Sequence, residues 1–463
     1  MIKVRGYRLL VIVFSIQFAV IRLFAASPTG TLPVVYVNTT NNAAIDSKET
    51  YVAGSLYIDS LGTAALGTKD APIAAQFKGR GNYTWTGFAK KPYKIKFDVK
   101  QAVLGMPNNR HWCLMANADD YLGFLKMPAG FRISEAVGLR WTPRTRPVEL
   151  VLNGKYQGLY FLTEHVRIAS NRVKITEQED NATDSVSGGW LVEIDNYASE
   201  GNIVFDEGNG QHVMVSLKEP EVLSAEQRQY IEQQMYGLND AIWGDDATTL
   251  WNMLDVNEAA KYYLVQEIME DCESYHGSCY LYKDRDRNGV RDKWKFGPCW
   301  DFGNAYDRKT YNGDRANAFI YENPTFDQYW IGQIATWPEF QKAVKEQWWI
   351  YYHTHKDQVR TDMRAFADKI EKAAKNDANV WRNTSNYRDN SNYSEVRDRY
   401  FRRYDWRIQW LYSQWKEGIK PATWDIEQAQ EKPSHGHKIL RDGQFYIECN
   451  GQFYNLLGQP VSL

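Results

Sequence analysis

Cysteine is scarce in this chain: Cys113, Cys272, Cys279, Cys299 and Cys449 are the five among 463 residues. An odd number cannot all pair within one chain. No C-x-x-C occurs and the eight histidines are scattered, so the common zinc frameworks are excluded. Buried structural thiols are expected, with a Cys272–Cys279 bridge as the alternative. Glycine and proline together make only 47 residues, too few for a collagen-like or disordered chain. A basic excess is missing too. Lysine and arginine (55) are balanced by aspartate and glutamate (57), so no nucleic-acid partner is expected. What is present is 43% hydrophobic and 14% aromatic residues, enough for a folded chain of two or three domains. No repeat of solenoid period is visible.

The first 26 residues differ from the rest. Lys3, Arg5 and Arg8 precede an apolar run from Leu9 to Phe24, interrupted by Arg22 and followed by Ala25, Ala26 and Ser27. This is the pattern of a secretory signal, a retained anchor being the alternative. No later run is long and apolar enough to span a bilayer. Without residues 1–26 the chain keeps 51 cations against 57 anions, a mildly acidic exported protein.

Residues 33–98 carry strand signals at 34–37, 51–58, 73–77 and 93–97. The last alternates strictly, so Tyr93, Ile95 and Phe97 face one side while Lys94 and Lys96 project together from the other. A short strand at 112–115 follows, and the apolar spacing of 121–139 predicts a helix despite Pro128, with Asp119 and Asp120 as caps. Asn153-Gly154 between two apolar runs predicts a β-hairpin. Strands are expected at 191–194, 203–205 and 213–217, helices at 225–243 and 256–269, and amphipathic helices through 330–417. Beyond Pro421, alternation at 438–454 predicts a small β-module.

Three stretches carry candidate chemistry. Gln76 to Trp85 sets Gly79 and Gly81 around Arg80 directly after a strand, where backbone N–H groups and a guanidinium can approach phosphate. An ordinary β-turn is the alternative. Glu270-Asp271-Cys272-Glu273 crowds three carboxylates into four residues after a helix, either a base and metal-ligand loop or a polar helix end. Phe296 to Asp307 places Asp301 among aromatic neighbours, where an unpaired charge is costly and a metal or basic partner is implied. Between them, residues 284–292 imitate a calcium loop. Lys295 stands where that loop needs a bidentate carboxylate, so a polar hairpin turn is expected there instead.

The ordered motifs R-G-N-Y-T-W, K-K-P-Y-K-I-K-F, W-C-L-M-A-N-A-D-D, L-V-L-N-G-K-Y-Q-G-L-Y-F-L-T-E, Y-H-G-S-C-Y-L-Y-K-D and G-P-C-W-D-F-G resemble the spore-coat protein H (CotH) kinase-like family from about residue 76 to 307. The resemblance implies an α+β, atypical protein-kinase-like two-lobed fold. It would comprise a β-rich N-lobe over 27–220, a helical C-lobe over 221–424 and a C-terminal β tail over 425–463. It also implies transfer of the ATP γ-phosphate to serine residues of an exported protein, with Mg²⁺ or Mn²⁺. Arg80, Lys94, Lys96 and a hinge-like Glu164 would bind nucleotide, and Asp301 would hold metal. Alignment on Y-L-Y puts Glu273 at the catalytic aspartate and Ser278 at a metal-binding asparagine, while a longer loop would make Asp271 the base. Gly303 stands where the family commonly has an acidic residue. Those departures leave a second reading, a catalytically degenerate module binding protein or glycan at the cell envelope through its 17 tryptophans. The tail at 438–461 resembles the C-terminal β-tails of exported Bacteroidetes-type proteins, or is a β-cap on the main domain. Secretion, or display at the surface or in the periplasm of a Gram-negative bacterium, is expected.

Overall fold

The computed structural model of the chain describes residues 26–195, 203–205, 213–271, 273–306, 318–322, 329–424, 437–441, 444–449, 452–454 and 460–461. Residues 1–25 of the export signal expected at 1–26 lie outside them, as do Cys272 and the glycine turns expected at 442–443 and 450–451.

The N-terminal strands are β1 (Val34–Thr39), β2 (Val52–Ser60), β3 (Thr63–Leu66), β4 (Ile73–Gly79), β5 (Tyr93–Val103), β6 (Met106–Met115), β7 (Thr145–Leu152) and β8 (Lys155–Glu164). They pair in the order β1-β7-β8-β6-β5-β4-β2, and β1 closes the ring by pairing with β2. The result is a seven-stranded barrel with β3 flanking β2. Period-2 alternation fills it: Phe77, Ile95, Phe97, Trp112, Leu114, Tyr160 and Leu162 form one buried cluster inside. The β7–β8 turn is the expected one, Asn153 and Gly154 both having positive φ (49° and 75°), which that two-residue turn requires.

A second sheet runs β10-β11-β9-β12-β13, from β9 (Trp190–Ile194), β10 (Ile203–Phe205), β11 (Val213–Glu219), β12 (Cys279–Lys283) and β13 (Lys295–Phe296). Helices α1 (Tyr83–Thr86) and α2 (Lys126–Ala136) are inserted among the barrel strands. Then come α3 (Ala225–Trp243), α4 (Ala247–Met253), α5 (Val256–Met269), α6 (Trp330–Ile334), α7 (Pro338–Ile350), α8 (Lys356–Trp381) and α9 (Tyr393–Trp415). Ser224 opens α3 with a reciprocal capping box to Gln227, and Asp255 caps α5 through the N–H groups of Asn257 and Glu258. Strands β14 (His437–Arg441), β15 (Gln444–Cys449), β16 (Gln452–Tyr454) and β17 (Pro460–Val461) make an antiparallel terminal sheet.

The two-lobed kinase-like architecture is overturned by this topology. A lobe needs an open sheet whose face covers the ligand, whereas β1 pairs on both edges and the N-terminal strands close on their own core. The second sheet also draws strands both from 190–219 and from 279–296, joining through β9 and β12 what a lobe boundary would separate. Helix α2 starts five residues later than expected. The Asp120 carboxylate accepts from Leu122 N and Lys126 N, folding 121–125 into a turn, and Pro128 falls in the helix's first turn, where no N–H is missed. Cys113, Cys279 and Cys299 are free and buried, as structural thiols are expected to be. Trp112, Trp190, Trp294, Trp330 and Trp348 are fully buried core residues.

Candidate functional site

Asp301 lies between β13 and the segment that follows it, in left-handed backbone at φ 53°. Its side chain is exposed while Trp300 and Phe302 on either side are buried, which corrects the expectation of a charge buried among aromatics. Its Oδ1 accepts from Gly303 N at 3.1 Å. A Cβ on Gly303 would stand 2.6 Å from Asp119 Oδ2 and 3.2 Å from Asp301 Oδ1, so two carboxylates crowd the space that this glycine leaves open. Lys126, buried at the start of α2, donates through Nζ to Gly303 O. Asp301, Gly303, Asp119, Asp120, Lys126, Arg80 and Thr84 all line one cleft.

More acid sits within electrostatic reach. Asp271 follows α5, is 1% exposed, and its Oδ2 has no hydrogen-bond partner among the described residues. Burial, reinforced by Glu273 and Asp301, pushes its carboxyl well above the usual range. Glu273 accepts from Asn304 Nδ2. Burial, then Asp301, Asp119 and Asp195, push it up to about 7. Asp119 is raised by burial, with Lys126 opposing and Asp301 adding. Two of the residues lining the cleft, Asn117 and Asp301, are non-glycine residues in left-handed backbone. Such conformations cost ~1–3 kcal/mol each and collect where a site needs them.

Four mutually repelling carboxylates with one buried lysine call for added positive charge, and their oxygens suit a hard divalent ion. Among the described residues no three His, Cys, Asp or Glu side chains form a cage for one. Asp119 and Asp301, both facing the space at Gly303, would supply two carboxylate ligands of such an ion and not a complete shell.

Arg80 is brought to this cleft. Its guanidinium lies 5.3 Å from the Trp300 ring and its Nη1 is 2.8 Å from Met115 Sδ. Lys94 and Lys96 project from the barrel's outer face as the alternation predicts, opposite Lys78 and Gln76 of β4. Burial, with Lys78 and Arg80 adding, holds Lys94 below the usual lysine range although Cys113 opposes. Lys96 lies 5.7 Å from the Tyr51 ring, outside the set that lines the cleft. Glu164 is fully buried at a barrel mouth, where its carboxylate accepts from Arg144 N at 2.9 Å and pairs with the Arg144 guanidinium at 3.3 Å. Ser278 sits at φ 54° immediately before β12 and is not among the residues lining the cleft.

The calcium-like loop satisfies itself. Asp286 pairs with Lys283, Asp292 with Lys295, and Asp284 accepts from Thr176 N, so the loop's acids are occupied by flanking cations and a neighbouring amide. Reasoning from sequence missed Lys126, whose ammonium is hidden in an apolar helix, and named Asp119 only as a cap. It also missed Lys218 of β11, held 2.6 Å from Glu193 of β9. The A-N-A-D-D run ahead of a helix was the available signal for Asp119. Lys218 left none.

No curated protein matches the chain. A family model described as CotH kinase protein matches residues 76–411, the span that holds every residue of the cleft. Since that match covers well over half of the 463 residues, the chain belongs to the CotH kinase family and its function is of the kinase type at that level.

Proposed function

We propose that the protein transfers the γ-phosphoryl group of ATP to a serine hydroxyl of an exported acceptor protein, with Mg²⁺ or Mn²⁺, in the cell envelope or outside the cell. The observation that carries this reading is the convergence of Arg80, Lys126, Asp119 and Asp301 on one cleft, within electrostatic reach of Asp271 and Glu273. Phosphoryl transfer asks a protein mainly for cations around the phosphates and a carboxylate facing the hydroxyl.

In this scheme the Arg80 guanidinium, held by Trp300 and Met115, binds phosphate oxygens, with Lys94 behind it. Asp301 with Asp119 would hold the divalent ion, which when bound offsets charge on the β- and γ-phosphates. Glu273, oriented by Asn304 and poised near neutrality, accepts the serine proton as the hydroxyl oxygen bonds to the γ-phosphorus. The bond from that phosphorus to the bridging oxygen breaks and ADP leaves with the electron pair. Asp271, more deeply buried, acts on Glu273 through its charge. The rival reading, a degenerate module binding protein or glycan, rests on the departures at Glu273, Ser278 and Gly303 and on the 17 tryptophans, of which the five named above pack the core.

The test is incubation with γ-labelled ATP, Mg²⁺ or Mn²⁺ and exported acceptor proteins of the source cell. Transfer by the wild type and its loss in Asp301→Ala are expected. Equal label in the two proteins with either metal would overturn the reading.

A further inference from the structure

Another pocket lies beyond the far end of α2. It is lined by Leu139 and Trp141, which follow that helix, by Glu258 in the first turn of α5, and by Tyr282 and Phe296 of β12 and β13. It shares no lining residue with the carboxylate cleft. The cleft is at Lys126, the first residue of α2, and the helix runs on from there to Ala136, roughly 15 Å at ~1.5 Å per residue. Gly297 leaves one corner of the pocket open: at φ 119°, a Cβ there would meet only Leu139 Cδ2 within 4 Å, at 3.9 Å.

The charges around this pocket are already matched. Arg140, Lys174 and Lys295 are balanced by Glu258, Asp284 and Asp292. Lys295 Nζ is 2.7 Å from Asp292 Oδ2, Asp284 Oδ2 is 3.2 Å from an Arg287 nitrogen, and Glu258 Oε1 is 3.0 Å from Lys261 Nζ. An ionic occupant would give up its hydration without finding an excess of opposite charge. Two neutral hydrogen-bonding needs remain. Glu258 is 4% exposed, and its Oε2 has no hydrogen-bond partner among the described residues. The buried Nε1 of Trp141 has none either. A buried acceptor and a buried donor left unpaired are both costly. The rest of the lining is apolar: Trp141, Tyr282 and Phe296 bring rings, Val173 and Ile175 aliphatic carbon.

We propose that this pocket binds a sugar ring. A pyranose carries C–H groups on its faces that pack on aromatic and aliphatic side chains, and hydroxyls at its edge that donate and accept at once. One hydroxyl donates to Glu258 Oε2 and another accepts from Trp141 Nε1, so both needs are met by an uncharged molecule. A wholly apolar ligand would leave the two groups unpaired, and a charged one would upset the balanced lining. The ring is either a free monosaccharide or the end unit of a glycan. The proposal stands whether or not the chain transfers phosphate.

Saturation-transfer difference NMR on the full chain tests it, with glucose, galactose and N-acetylglucosamine as free sugars and chitotriose as the glycan probe. Wild type, Trp141→Phe and Asp301→Ala are compared, phenylalanine being chosen to keep a ring while removing the indole N–H. At least one probe is expected to receive saturation from wild type and Asp301→Ala at the same half-maximal concentration, most strongly at the C–H protons of one ring face. In Trp141→Phe that concentration should rise roughly fivefold, the worth of one hydrogen bond. Saturation of a monosaccharide identifies a free sugar as sufficient; a response to chitotriose alone identifies a glycan end. Should Trp141→Phe fail to fold by circular dichroism, Glu258→Gln is read in its place and must show a comparable weakening. No transfer to any probe, or equal half-maximal concentrations in wild type and the folded variant, overturns the site, and so does loss of binding in Asp301→Ala. Failure here leaves the phosphate-labelling result untouched.

Discussion

Lys90 Nζ lies 2.7 Å from Asp377 Oδ1 with both side chains sealed from water, a fully buried ion pair joining the segment before β5 to α8. Lys90 also donates to Leu159 O, and Asp377 accepts from Leu159 N and Tyr387 OH, so the pair is fastened to β8. Gly158 leaves the room: at φ 90°, a Cβ there would collide with Asp377 Oδ1. Two of the family's motifs, K-K-P and N-G-K-Y-Q-G, thus meet at a structural bolt between barrel and helices.

Removing one partner of such a pair strands a buried charge. Asp377→Ala is expected to destabilise the protein by about 3–5 kcal/mol. Denaturant unfolding measures this. Replacing both partners by apolar residues, Lys90→Met with Asp377→Leu, should recover most of the loss. A single variant within about 1 kcal/mol of wild type would show that the pair is not what secures this contact.

Gly303 gives a prediction with the opposite balance of stability and function. Its space is bounded by Asp119 and Asp301. Gly303→Asp, the residue type common at this place in the family, should therefore not improve phosphoryl transfer here. A side chain must displace one of the two carboxylates, and transfer should drop at least roughly tenfold, as it does for ~1.4 kcal/mol of lost transition-state stabilisation. The unfolding midpoint should move less than transfer does, because the Asp301 side chain is exposed and can swing toward solvent. Labelled transfer and denaturation read the two quantities separately.

What the sequence disclosed follows from how local each signal is. The alternation of 93–97 named the inward Tyr93, Ile95 and Phe97 because a pleated strand has period two whatever surrounds it. Asn153-Gly154 gave the hairpin for a similarly local reason. Barrel closure was not legible. It depends on β1 pairing with β2 on one side and, through Val34 opposite Glu149, with β7 on the other, and no local pattern encodes that encounter. In the site, Asp301 stood out as an acid between aromatics, yet its exposure is set by a left-handed turn that its letters do not announce. Lys126 was hidden because a lysine in a buried helix reads as an exposed one until the acids around it are known.

Glu273 should give the activity a pH dependence. Its folded pKa near 7 is above that of an ordinary glutamate, so it is mostly protonated in the folded protein below that value. Transfer measured with saturating ATP should rise from pH 6 to pH 8, and Glu273→Gln should be slow and lack this rise. The stability sign is the reverse. Because the folded state holds the proton more tightly, this group's contribution is fully present below the unfolded pKa and is lost as pH climbs through about 7. Divalent ions should offset that loss, so the pH slope of the melting temperature should flatten when Mg²⁺ or Mn²⁺ is added.

Lys126 ties these acids together. Its buried ammonium is the leading charge pulling down both Asp119 and Asp120, it also opposes the rise at Asp271, and it holds the Asp301 loop through Gly303 O. In Lys126→Met that counter-charge is gone while much of the packing stays. The carboxyls should then bind protons more tightly, so the pH–activity curve of any remaining transfer should shift upward, which a purely structural lysine would not cause. Half-saturation by Mn²⁺, read from transfer rates at fixed ATP, should fall at high pH, because removing a cation beside the acids favours a divalent ion once the protons have left. An unshifted pH profile with merely lower stability would assign Lys126 to packing alone and remove it from the site.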